Sequence, residues 1–254
     1  MSDSPKSLTI GSAEQLWQPA TRRSFLRLLG VGGTVVLLPS VFTACDDDTG
    51  TNPAGGGAAL DLRTDVGILN YAYALEQLEA GFYQSAVAAS AFSQLSAAEQ
   101  ELVADVRNHE VIHREFFRTV LGNSRIGDLA LNNATVTTAT ASRAAILQTS
   151  RQLEDTGVAA YNGAGKYLTS RDNLVLAGKI VSVEARHAAA FRDVLDATGR
   201  DFAGNGVVDA QGLDVKGEPS EILAAVGSTN LVGTTITIGN PPATKAGTTT
   251  RLPS

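Results

Sequence analysis

Two of the chain's three histidines follow a glutamate by three positions, and no other feature of the sequence limits the fold as much. The two steps are Glu110-Val-Ile-His113 and Glu184-Ala-Arg-His187. Residues three apart share one face of a helix, so each step aims a carboxylate and an imidazole in the same direction. Each step has a further pair upstream: Glu76 is followed seven residues later by Tyr83, and Glu154 seven residues later by Tyr161. Glu-x6-Tyr followed by Glu-x-x-His therefore runs through the chain twice, the pattern of two related helical hairpins.

Apolar periodicity supplies the helices. Ile68, Tyr71, Leu75, Leu78, Phe82 and Ala86 recur at three- and four-residue steps, which predicts a first helix from about Asp65 with one buried stripe. A second helix begins at Ser96, with Glu99 placed to close a capping box, and ends at Gly122. Ile146, Leu153, Val158, Tyr161 and Leu168 mark a third over roughly 141–169; Leu176, Ile180, Val183, Phe191 and Leu195 mark a fourth over roughly 172–198. Residues 123–140 are Asn/Thr-rich and non-periodic, suiting a long crossover between the second and third helices. The expected fold over 65–198 is therefore all-α, an antiparallel four-helix bundle. Residues 199–254 read as a small irregular extension, with a short helical candidate at 219–226 and an alternating strand candidate, "LVGTTITI". The acidic spacing of "DFAGNGVVDAQGLD" does not match a calcium loop.

In such a bundle Glu76, Glu110, Glu154, Glu184, His113 and His187 all aim inward at one level, and burying four carboxylates without compensation is prohibitive. Two divalent cations would neutralise them, each taking one histidine with terminal and shared carboxylates. The competing explanation is a polar seam that fixes helix register by ion pairs, but Arg107, Arg114 and Arg186 lie where helical geometry turns them outward. The six-residue constellation resembles the ferritin-like superfamily, in which carboxylate-bridged di-iron and di-manganese centres are built this way. "LNYAYALEQLEAGFY" at 69–83 is similar to the ferritin-like proteins that include desiccation-related proteins.

That resemblance implies Glu76 and Glu154 as terminal ligands, Glu110 and Glu184 as bridging ones, and His113 and His187 as nitrogen donors. Tyr83 and Tyr161 match tyrosines that hydrogen-bond ligand carboxylates. It further implies two iron or manganese ions that meet O2 or peroxide, with the redox chemistry of ferroxidases and manganese catalases. A ferritin-like fold does not fix function, so a non-enzymatic stress or desiccation protein, structural or metal-sequestering, stands as the alternative, and a binding module on the Gly/Thr-rich tail as a third. Glu79 lies one turn beyond Glu76 and competes with it as ligand, or serves as an outer acid or a metal-entry residue; only Glu76 has the tyrosine seven residues on. His109, beside a completed motif, is expected to pack or face solvent.

Residues 1–44 read as an address. Arg22-Arg23-Ser24-Phe25-Leu26 precedes an apolar run broken by Gly30, Gly32, Gly33 and Pro39, and resembles a Tat export signal rather than a membrane span. Cys45, the only cysteine, follows Phe42-Thr43-Ala44 in a partial lipobox and is the expected lipidation site, so a membrane is met only through the signal or a lipid anchor. The localisation this implies is periplasmic or cell-surface. Residues 45–64, acidic and then Gly-rich, read as a tether. Loss of 1–44 removes Lys6, Arg22, Arg23 and Arg27 against Asp3 and Glu14, taking the net charge from −6 to −8, which disfavours nucleic acid as a partner. It also removes Met1 and Trp17, leaving no easily oxidised Met or Trp. A tethered chain is ill suited to cage assembly and compatible with a homodimer.

Overall fold

The computed structural model describes residues 57–243 except Ala197 and Asn205; the signal-like segment, Cys45 and the start of the tether lie outside them. Six α-helices and two short strands make up these residues. They are β1 (Ala58–Asp61), α1 (Asp65–Ala88), α2 (Ala97–Leu121), α3 (Asn133–Ala139), α4 (Arg143–Ala164), α5 (Arg171–Leu195), α6 (Pro219–Thr229) and β2 (Ile236–Asn240). The fold is an all-α bundle of two helical hairpins, α1 with α2 and α4 with α5.

The caps explain where the helices begin. Thr64 Oγ1 accepts from Gly67 N at 3.1 Å to open α1, and Ser96 with Glu99 forms the reciprocal capping box of α2. Ser142 and Ser170 cap α4 and α5 in the same manner. At the end of α2, Gly122 takes φ +52°, a left-handed turn that glycine adopts without Cβ strain. Asp65 also ties the first helix to the last hairpin, since its carboxylate accepts from Thr169 N, Thr169 Oγ1, Ser170 N and Asn173 Nδ2 at 2.7–2.9 Å.

α1 is buried on nearly every side, which a single apolar stripe does not require. The crossover covers its outer face. Asn70 Oδ1 accepts from Ile126 N at 2.7 Å, Gln77 Oε1 accepts from Leu129 N at 2.8 Å, and a Cβ at Gly81 would come within 2.7 Å of Leu131.

Two boundaries drawn from composition move. Ala58–Asp61, inside the stretch read as tether, pairs in parallel with β2, and Ala58, Leu60 and Leu62 are buried. The 199–254 extension is not merely irregular: Ile222, Val226 and Leu231 join the main core. Gly217 N donates to Ala159 O at 2.9 Å, and Gly163 allows this close approach to α4 because a Cβ there would lie 1.8 Å from Gly217 O. No helix of the described residues is long and apolar enough to cross a membrane.

Candidate metal centre

All six motif residues meet in the middle of the bundle, one helix supplying each glutamate. Glu76 (α1), Glu110 (α2), Glu154 (α4) and Glu184 (α5) are completely buried, His187 is buried, and His113 is slightly exposed at 13% of its side chain. Their ligand atoms fall into two overlapping groups, Glu76–Glu110–His113–Glu184 and Glu110–Glu154–Glu184–His187, each with all atoms within 4.8 Å of one another. Glu110 and Glu184 belong to both groups. The spacing of three brings this about on α2 and α5, while α1 and α4 each present one carboxylate.

Both histidines turn Nδ1 toward the carboxylates. His113 Nδ1 lies 3.3 Å from Glu76 Oε2, 3.3 Å from Glu110 Oε2 and 3.1 Å from Glu184 Oε1. His187 Nδ1 lies 3.0 Å from Glu110 Oε1 and 3.1 Å from Glu154 Oε2. Burial opposes charge on both rings, but the surrounding carboxylates prevail. Contacts with Glu110 and Glu154 lift His187 to about 10, and Glu76, with Glu110 and Glu184, raises His113 far above the ordinary imidazole range.

Two imidazolium charges do not balance the carboxylates. Burial first, then repulsion from Glu154, raises Glu110 to about 7 against the pull of both histidines. Burial and the neighbouring Glu110 push Glu184 well above the usual carboxyl range. Neither Glu184 oxygen accepts a hydrogen bond of good geometry, and the same holds for Glu76 Oε2 and Glu110 Oε1. Arg114 and Arg186 are engaged elsewhere, with Glu115 and with Ser182 O. Buried oxygens without a well-formed hydrogen bond, gathered around converging imidazole nitrogens, are a donor set that could hold a hard or borderline divalent metal ion.

The two tyrosines cross between hairpins. Tyr83 of α1 donates its hydroxyl to Glu154 Oε1 on α4 at 2.5 Å, and Tyr161 of α4 donates to Glu76 Oε1 on α1. Burial, and then the adjacent carboxylate, pushes both phenols well above their usual range, so they act as neutral donors. Each fixes one oxygen of the carboxylate it serves and leaves the other for the centre.

Three residues lie around this set. Glu79, buried with Oε2 unpartnered, faces α4: a Cβ at Gly157 would lie 3.0 Å from Glu79 Oε1 and 3.2 Å from Glu184 Oε2. Burial and Glu184 drive its carboxyl toward the neutral acid. Glu79 belongs to neither four-residue group. Gly157 carries no sequence signal, since its function is the absence of a side chain beside two carboxylates. His109 does more than pack or face solvent, because its Nδ1 lies 2.9 Å from His187 Nε2.

A bundle with four buried glutamates and two histidines shared among its four long helices defines a ferritin-like protein with a potential metal site. The ferritin-like domain family matches residues 64–197, and the chain belongs to that family. Among curated proteins, none matches this chain.

Proposed function

We propose that the chain binds two divalent cations, iron or manganese, and works as an exported redox protein that oxidises Fe(II) or reduces O2 or peroxide. The observation that carries this reading is the pair of overlapping groups sharing Glu110 and Glu184, which matches one dinuclear centre better than two separate ions. Glu110 and Glu184, common to both groups, would be shared between the ions, Glu76 and Glu154 would each serve one, and His113 and His187 would be the nitrogen donors. Tyr83 and Tyr161 hold the carboxylates of Glu154 and Glu76 by one oxygen each, and all four glutamates are completely buried. Four carboxylate charges offset those of two divalent ions. When bound, such a pair of ions supplies electrons and open coordination positions to the oxidant. Glu79, outside both groups, is assigned as an outer acid rather than a ligand.

A second reading is favoured by the histidines' existing contacts with the carboxylates, which let the cluster hold together as an ion-paired seam or a passive metal store. Elemental analysis of the chain beside a His113→Ala/His187→Ala variant separates the seam from the metal site. About two irons or manganeses per chain, lost in the variant, are expected; a folded chain without bound metal refutes the redox reading. Turnover of Fe(II) or peroxide then distinguishes catalysis from storage.

The twin arginine at Arg22-Arg23 and the position of Cys45 support export and lipid attachment outside the cytoplasm. Metabolic labelling with a fatty acid, lost in Cys45→Ala, tests the anchor. Sedimentation tests the homodimer.

A further inference from the structure

We infer that His109 is a positioning residue that sets the tautomer and ring orientation of His187, and so makes the two halves of the centre unequal. His109 Nδ1 and His187 Nε2 are 2.9 Å apart. The ring planes differ by 10° and the centroids are 5.1 Å apart. Face-to-face stacking at that angle cannot bring two nitrogens so close. Two coplanar imidazoles joined edge to edge can, because the two ring radii added to the hydrogen bond nearly reproduce the centroid separation. The contact is an in-plane N–H···N hydrogen bond.

Its direction follows from the other edge of His187. Nδ1 faces Glu110 and Glu154, and it must present a lone pair to any cation held there. Neutral His187 then carries its proton on Nε2 and donates to His109 Nδ1, which puts the proton of His109 on its own Nε2. The in-plane contact with His109 Nδ1 is already made in the metal-free chain. A cation arriving at Nδ1 therefore meets a ring already held from its far edge. A donor on the far nitrogen of a metal-ligating histidine is the arrangement that fixes ring orientation and raises basicity. Here the acceptor is an imidazole one residue before Glu110, partly exposed, in contact with a ring only 5% exposed.

The tautomer of His187 and the ion-affinity side of this inference rest on the metal reading above, whereas the hydrogen bond between His109 and His187 does not. The test uses the full chain with 15N-labelled histidine, whose three imidazoles are readily distinguished. Long-range 1H–15N correlations are expected to show N–N coupling between His187 Nε2 and His109 Nδ1 in metal-free and zinc-loaded protein, and His187 protonated at Nε2 in the zinc-loaded protein. In zinc titrations, His109→Leu is expected to weaken one of two binding steps about 10- to 100-fold, and His109→Asn, which restores an acceptor near Nδ1, to recover most of the loss. A merely structural substitution would move neither the coupling nor the Leu-against-Asn difference. An unprotonated His187 Nε2 in the zinc-loaded chain, missing coupling, or a His109→Leu titration identical to wild type would overturn the assignment. If the wild type binds no zinc, the metal reading fails, while the coupling in the metal-free chain still decides the role of His109.

Discussion

Replacing Glu184 by glutamine separates the two consequences of burying so many carboxylates. Glu184 is completely buried, belongs to both four-residue groups, and has no well-formed hydrogen bond. With manganese at a hundredfold over Kd at two positions, the wild type gains about 2.7 kcal/mol from each, or about 5 in all. For a domain of this size that is a rise of about 10–20 °C in Tm. Glu184→Gln weakens both positions; a hundredfold loss at each leaves about 0.8 kcal/mol and a shift of about 2–3 °C. Glu76→Gln touches one group only, so the same loss there leaves about 3 kcal/mol. In metal-free protein the order reverses. The Glu184 carboxyl is raised by burial and by Glu110, so it binds a proton more tightly folded than unfolded. Wild-type stability therefore falls as pH rises beyond the ordinary carboxyl range, and a neutral amide escapes that loss. The assay is thermal unfolding at pH 8, with manganese and with chelator. Equal manganese shifts for the two variants, or a metal-free Glu184→Gln less stable than wild type, would refute the reasoning.

Three further outcomes test the scaffold. Arg143 holds Glu99 down to about 2, so their ion pair supports the fold above the unfolded carboxyl value of 4.5 and is lost as pH falls toward 2; urea midpoints between pH 6 and pH 2 should decline less in Glu99→Gln. Ile222→Ala empties a buried position where α6 meets the core and is expected to cost about 2–5 kcal/mol, read as a lower urea midpoint with unchanged helicity. Gly163→Ala puts a methyl group 1.8 Å from Gly217 O, so the C-terminal segment should detach and become open to limited proteolysis while α1–α5 stay helical.

Local chemistry revealed the helices well. The Ser96/Glu99 box marks the start of α2 and Gly122 its end, because a cap is a contact within four residues. The C-terminal core was hidden for the opposite reason: Ile222, Val226 and Leu231 stand among small and polar residues, and their burial depends on α4, some sixty residues away. β1 was equally hidden, since four residues after a glycine run gain a strand's hydrogen bonds only from β2. At the centre, spacing revealed which side chains converge but not how they pair. Tyr83 and Glu76 share a helix, yet each bonds a partner on α4, and that exchange depends on the packing of the hairpins.

His109 shows where the internal repeat ends. The residue before Glu110 is His109, whereas the residue before the matching Glu184 is Val183. One step along a helix rotates a side chain by about 100°, which takes position 109 away from the carboxylates and toward α5, where His187 presents its far edge. Valine at position 183 cannot return the favour to His113. His187 is thus braced on both edges and nearly closed to solvent, while His113, 13% exposed, is held by its carboxylate contacts. Pre-ordered ligands lose less freedom on binding, so the His187 position should fill first. In a zinc titration followed by imidazole 15N shifts, the first equivalent is expected to move His187 and the second His113. Simultaneous movement of both rings, or His113 moving first, would mean that the hydrogen bond from His187 to His109 confers no preference on the centre.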